Sequence, residues 1–147
     1  MGGATVLLAA CMEEPPDFAV ADCPYADLTE EAAYDLRVLC RLPAWPFIPV
    51  ASLLMRLRAG FFFSAVSPLR EIEARGGLPE VPVLFIHGME DKLIPYAASE
   101  KLYAAKRGRK ALCLVEGAGH ARSIVWARAH YSETLYAFLD EFAGEPT

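Results

Sequence analysis

Three histidines and four cysteines are all that the 147-residue chain offers for metal ligation or thiol chemistry. The cysteines stand at 11, 23, 40 and 113. No two have a C-x-x-C spacing and no histidine falls at a ligand interval, so the pattern of a zinc site is missing. They read instead as buried small hydrophobes in a reducing compartment, which points to a cytoplasmic location. Basic charge is also scarce: 14 Lys and Arg face 19 Asp and Glu, for a net charge of -5. Nucleic-acid binding wants the opposite, a basic face. The one basic run, Lys106, Arg107, Arg109 and Lys110, falls at a predicted helix end and reads as a solvated terminus complementing the helix dipole. A membrane span is missing too. The longest apolar stretch, Trp45 to Phe63, is broken by Pro46, Pro49, Arg56 and Arg58, whereas a span needs about 20 apolar residues. Leu8-Ala9-Ala10-Cys11 lacks the cationic lead of a signal peptide, and Val6 occupies the place where myristoylation wants Ser or Thr.

What is present is hydrophobicity, 54% of residues. Parallel sheets covered on both faces produce such richness, because their strands have no wet side. Residues 4–12 are apolar all round, as for a helix buried on most sides, and Glu13-Glu14-Pro15-Pro16 stops it. Residues 18–23 form a short buried strand with Asp22 near its exit. Asp27-Leu28-Thr29-Glu30 has the form of a capping box opening a helix to about Cys40. Residues 43–63 are rich in proline and aromatics and show no clear period. Ser67-Pro68 starts another helix, proline being tolerated at its first position.

From residue 81 the pattern sharpens. Val81 to Ile86 reads as a buried strand with Pro82 at its start, where a missing donor matters least. Tyr96 to Arg107 fits a helix with Ala98, Leu102 and Ala105 on one face. Ala111 to Val115 is a further buried strand. A last helix spans about Ser123 to Phe142, with Ile124, Tyr131, Leu135, Phe138 and Phe142 at near-helical spacing. Strand and helix alternate, which predicts an α/β fold with a parallel sheet and right-handed crossovers. Nothing divides 1–147 into two domains.

Two of the strand-like runs end in chemistry. His87-Gly88-Met89-Glu90-Asp91 closes one, and Glu116-Gly117-Ala118-Gly119-His120 closes the other. In parallel strands the C-terminal ends share one edge, and neighbours lie about 4.8 Å apart. Asp91 can then accept from a ring N–H of His120, fix its tautomer and leave the other nitrogen as a base. Glu90 is the alternative acid. His87 reads as a hydrogen-bonded structural histidine, and His130 as a partly exposed one within a helix. Ser52, Ser64, Ser67, Ser99, Ser123 and Ser132 all lack a G-x-S-x-G context, so none is nominated as a nucleophile.

Residues 81–142, and more loosely the whole chain, resemble the C-terminal half of an α/β-hydrolase of the prolyl-oligopeptidase and serine-aminopeptidase-like branch. The matching text is Pro82-Val83-Leu84-Phe85-Ile86-His87-Gly88, then Asp91 with Ile94-Pro95, then Gly117-Ala118-Gly119-His120-Ala121 and Tyr131. The resemblance implies a catalytic acid at Asp91, a catalytic base at His120, and hydrolysis of carboxylic esters or of amides and peptides. It implies no metal and no organic cofactor. Met1-Gly2-Gly3 matches the residues just after the serine of a nucleophile elbow, so Met1 would supply an oxyanion-hole amide. Residues 28–65 fall where such enzymes insert a cap. There Trp45, Phe47, Phe61, Phe62 and Phe63 either line a pocket or serve as packing residues.

With no elbow serine, the chain is expected to be a truncated hydrolase, inactive alone. Its expected partner is a small-molecule ester or peptide substrate, and the oligomeric state is left open. The competing class is a non-catalytic α/β interaction module or pseudo-enzyme.

Overall fold

A computed structural model describes residues 1–143, with backbone alone at 142 and 143. The contact expected of Phe142 and the end of the 1–147 domain lie outside the described residues. Three strands, β1 (Ala19–Asp22), β2 (Val83–Gly88) and β3 (Lys110–Val115), form a parallel sheet in the order β1-β2-β3. The register sets Ala21 beside Phe85 and Phe85 beside Leu112. β2, in the middle, is buried along its whole length. It opens at Val83 rather than Val81 because Pro82 has no N–H to pair, although the Pro82 carbonyl accepts from Ala19 N at 2.9 Å.

Side chains alternate across the sheet and build a core on each face. Val83 and Phe85 join Leu7, Ala10, Ile72 and Leu102. These come from α1 (Gly2–Ala10), α4 (Pro68–Ala74) and α5 (Ala97–Ala105). Leu84 and Ile86 face the other way, onto Cys113, Val115 and Phe138, the last from α7 (Arg128–Ala143). α1 is less enclosed than its composition predicts. Ala4, Leu7 and Ala10 are buried on one face while Thr5 is exposed.

The capping residues act largely as expected. Asp27 accepts from Thr29 N at 2.8 Å and Glu30 N at 3.2 Å to open α2 (Leu28–Cys40). Glu30 departs from the capping-box expectation and meets Lys101 Nζ at 2.8 Å. Ser67 caps α4 by accepting from Arg70 N.

Residues 43–63 differ most from expectation. α3 (Ala44–Ala59) is a helix with Pro49 inside it and Trp45 in extended geometry near its start. Gly60 ends it in the left-handed region at φ 86°, its N–H bonded to Arg56 O. α3 packs chiefly on α2 and on a short 3-10 turn (Phe63–Ala65), and none of its side chains is buried. Trp45 is 75% exposed, and Phe47, Phe61 and Phe62 are exposed as well. They are not core residues. The Arg56 guanidinium sits 5.7 Å from the Phe62 ring centre.

Packing brings three further corrections. The last helix breaks at Ala127 into α6 (Ser123–Trp126) and α7, and Ile124 is exposed rather than internal. Lys106 is fully buried, and burial pushes its pKa down to about 8. Lys110 Nζ donates to the Tyr103 and Lys106 carbonyls and stands 4.3 Å from the Tyr103 ring centre, so the basic run is only half solvated. Cys11, Cys23 and Cys113 are buried as expected, but Cys40 is exposed.

Candidate active site

β2 and β3 end side by side, and a short loop leaves each. Met89 N donates to Val115 O and Glu90 N to Ala118 O, both at 2.9 Å. These bonds stitch the loop after β2 to the loop after β3. The stitching brings Asp91 to His120: His120 Nδ1 lies 2.7 Å from Asp91 Oδ2. The other carboxylate oxygen, Oδ1, accepts from Leu93 N at 2.9 Å and Ile94 N at 3.0 Å. Burial pushes the Asp91 carboxyl up, but these donors and His120 together pull it below its ordinary value. The Asp91 side chain is fully enclosed while that of His120 is 30% exposed. An imidazole that donates from Nδ1 keeps a lone pair on Nε2 for use as a base. Glu90 is exposed, and Asp91 is the acid that meets His120.

His87 lies beneath this pair at 0% exposure. Its Nδ1 is 2.7 Å from Ser99 Oγ, and its Nε2 is 2.9 Å from Ile94 O and 3.3 Å from Asp91 Oδ2. Burial lowers its pKa, against the pull of Ile94 O, Asp91 and Asp22, and so favours the neutral ring. His130 is exposed and touches Cys113 Sγ with Nε2 at 3.5 Å.

Several residues at the site carried no sequence signal. Cys23 closes β1 with φ 47°, and Ala121 follows His120 with φ 53°. Both are left-handed without being glycine, an arrangement that stores strain and clusters at functional sites. They touch, because Ala121 N donates to Cys23 Sγ at 3.4 Å. Burial pushes the Cys23 thiol up to about 12. Cys23, His87 and Asp91 also bring one potential ligand atom each within 4.8 Å of one another. Both His87 nitrogens are engaged in hydrogen bonds and the thiol holds its proton, so this donor set fits hydrogen bonding better than a cation.

Two acids of α2 look towards the same rim. Glu31 is raised to about 7 by burial, then by Asp35 and Asp91, against the pull of the Met1 amino group. Burial also raises Asp35, with His120 opposing. Glu31 Oε1 and Asp35 Oδ1 are buried with no hydrogen-bond partner among the described residues. Glu31 also lines a cleft of about 400 Å³ between α2 and α5, with Tyr34, Arg37, Ala98 and Lys101.

Comparison with known proteins agrees with this architecture. The family model "Serine aminopeptidase, S33" matches residues 51–122. The esterase Pf2001 of Pyrococcus furiosus superposes with a TM-score of 0.68 at 19% identity, over 97% of this chain and 51% of its own. The fold is that of the α/β-hydrolases. An acylaminoacyl peptidase of Pyrococcus horikoshii shares the α/β-hydrolase fold at a TM-score of 0.64 and 18% identity, over 97% of this chain and 22% of its own. Among curated relatives, the uncharacterized protein YqkD of Bacillus subtilis (strain 168) is 44% identical over 142 residues, 95% of this chain and 45% of that protein. The chain thus spans less than half the length of that relative. Among the described residues, no helix of this α/β-hydrolase fold is long and apolar enough to cross a membrane.

Proposed function

We propose that the chain carries the acid and the base of a serine-dependent hydrolase acting on carboxylic esters, with amides or peptides as the alternative substrates. The observation that carries this reading is the 2.7 Å contact between His120 Nδ1 and Asp91 Oδ2 at the ends of neighbouring strands. In the reaction a serine attacks the carbonyl carbon while His120 Nε2 takes its proton, and Asp91 holds the ring and stabilises the imidazolium. His120 then protonates the leaving group, and water repeats the sequence on the acyl-enzyme.

The nucleophile in this reading comes from outside residues 1–147 and stands at the N-terminal end of α1. Two features support that position. A Cβ on Gly3 would lie 2.5 Å from Asp22 O, so the first turn of α1 rests against the end of β1. The Met1 amino group is also within electrostatic reach of Glu31, which in turn feels Asp91. Once Met1 sits inside a peptide bond, its N–H at this helix start would donate to the oxyanion. α2, α3 and the 3-10 turn, residues 28–65, form the cap of the single domain, with Glu31 and Asp35 facing the site. The reading takes the protein to be cytoplasmic, which its free cysteines support.

A serine-directed fluorophosphonate probe tests this. The 147-residue chain should remain unlabelled. A longer protein that includes the residues encoded upstream should be labelled at a serine directly before Met1. Labelling of a serine within 1–147 would overturn the assignment, and labelling of neither protein would favour the interaction module.

A further inference from the structure

We propose that His87 is a positioning residue for the Asp91–His120 pair, and that Ser99 anchors its ring at Nδ1. This rests on the reading of Asp91 and His120 as acid and base.

The geometry allows one tautomer. His87 Nε2 faces two acceptors, Ile94 O at 2.9 Å and Asp91 Oδ2 at 3.3 Å. A bare nitrogen there would set a lone pair against a carbonyl and a carboxylate, so Nε2 carries the proton and donates. Nδ1 is then the acceptor, and the Ser99 hydroxyl at 2.7 Å donates to it. Both His87 and Ser99 are fully buried, so water does not compete for either contact. The result is a directed chain: Ser99 Oγ–H to His87 Nδ1, and His87 Nε2–H to Ile94 O, with Asp91 Oδ2 3.3 Å from the same nitrogen. His120 Nδ1–H reaches the same Asp91 oxygen from the opposite end.

This arrangement has two effects. His87 ties the carbonyl of Ile94 while the Ile94 N–H holds Asp91 Oδ1, so the short loop carrying the acid is clamped from both sides. His87 Nε2 also stands 3.3 Å from Oδ2, an electrostatic contact on the carboxylate oxygen that His120 must meet. Hydrogen-bond partners of this kind orient functional groups without touching the substrate. Both effects are lost if His87 adopts the other tautomer or swings away; the acceptors at Nε2 fix the tautomer, and Ser99, whose hydroxyl can donate or accept, anchors the ring at Nδ1. The groups facing His87 are Ser99 of α5, Asp22 of β1, the Cys23 thiol after it and Asp91 of the loop after β2.

The test uses His87→Gln, whose amide nitrogen can replace Nε2–H, against His87→Leu, which fills the buried site without a donor. In the 147-residue chain, nitrogen-correlated NMR of the imidazoles should show His87 as the neutral Nε2–H tautomer. The Nδ1 proton of His120 should exchange slowly in the parent chain and in His87→Gln, and several-fold faster in His87→Leu and in Ser99→Ala. In the longer serine-bearing protein, His87→Leu and Ser99→Ala should each lower kcat about tenfold with KM little changed, and His87→Gln should retain most of it. A residue needed only for packing predicts the reverse order, with Leu at least as good as Gln. That order, or an Nδ1–H tautomer at His87, would overturn the proposal. If His87→Leu does not fold, Ser99→Ala carries the same test with the ring in place. If the longer protein proves inactive, the hydrolase reading fails while the NMR comparison still decides the role of His87.

Discussion

Gly88 and Ala118 meet backbone to backbone. A Cβ built on Gly88 would lie 2.3 Å from Ala118 O and 2.8 Å from Gly119 O. Neither carbonyl is a flexible side-chain end, so one of the two loops has to move. Those loops carry Asp91 and His120, and their separation is what sets the 2.7 Å contact. Gly88→Ala should therefore cost about 1–3 kcal/mol of stability and break the contact. Thermal unfolding together with the His120 Nδ1 proton signal measures both. An unshifted midpoint with an intact signal would mean that the loops are softer than this packing implies.

Asp91→Asn keeps one oxygen for the Leu93 and Ile94 amides but presents His120 with the wrong hydrogen-bond sense. In the serine-bearing protein, kcat should fall by about 10⁴ through loss of the correct tautomer. Glu90→Gln should stay within about twofold of the parent, because Glu90 is exposed and surface changes are usually worth within about 0.5 kcal/mol. Steady-state kinetics of the two variants side by side decides between the acids. Equal losses would remove Asp91 from its role.

Glu31 should give the chain a pH-dependent penalty. Its folded value of about 7 exceeds its ordinary 4.5, so within that window the folded chain holds a proton that the unfolded chain has released. Stability consequently falls as pH rises from about 4.5 to about 7 and stays lower above it. Burial is the largest source of the penalty, Asp35 and Asp91 add to it, and the Met1 amino group subtracts from it. Glu31→Gln should flatten the slope near pH 7, leaving the smaller part due to Asp35, and stabilise the chain above pH 7 by on the order of 1 kcal/mol, allowing for solvent screening of a partly exposed group. Urea midpoints on either side of the window provide the check. A Gln variant with the parent's pH dependence would place the ionisation elsewhere.

Much of the site was legible because it is local. A buried strand, a glycine and an acid succeed one another over 83–91, and the Gly117 to His120 run repeats that grammar after β3. The parallel sheet then brings both to one edge. α3 was illegible because Pro46, Pro49 and the surrounding aromatics erase the helical period. Contacts with α2 and the left-handed Gly60 hold the helix instead. Lys106 gave the wrong signal, since a cation near a helix end normally reaches water, whereas here the neighbouring packing closes over it.

The sequence by itself determined the alternation of buried strands and helices, the parallel sheet and the two residues that meet at its edge. Those stem from apolar runs of strand length and from strand ends that all point one way. Only the tertiary structure decided which partners surround that pair. Ser99 is 12 residues from His87 along the chain, and Cys23 is 98 from Ala121. Contacts between residues so far apart leave no periodic trace, because the packing of whole elements decides which side chains meet. The tautomer of His87, the strained touch of Cys23 on Ala121 and the acids of α2 above His120 all belong to that second kind.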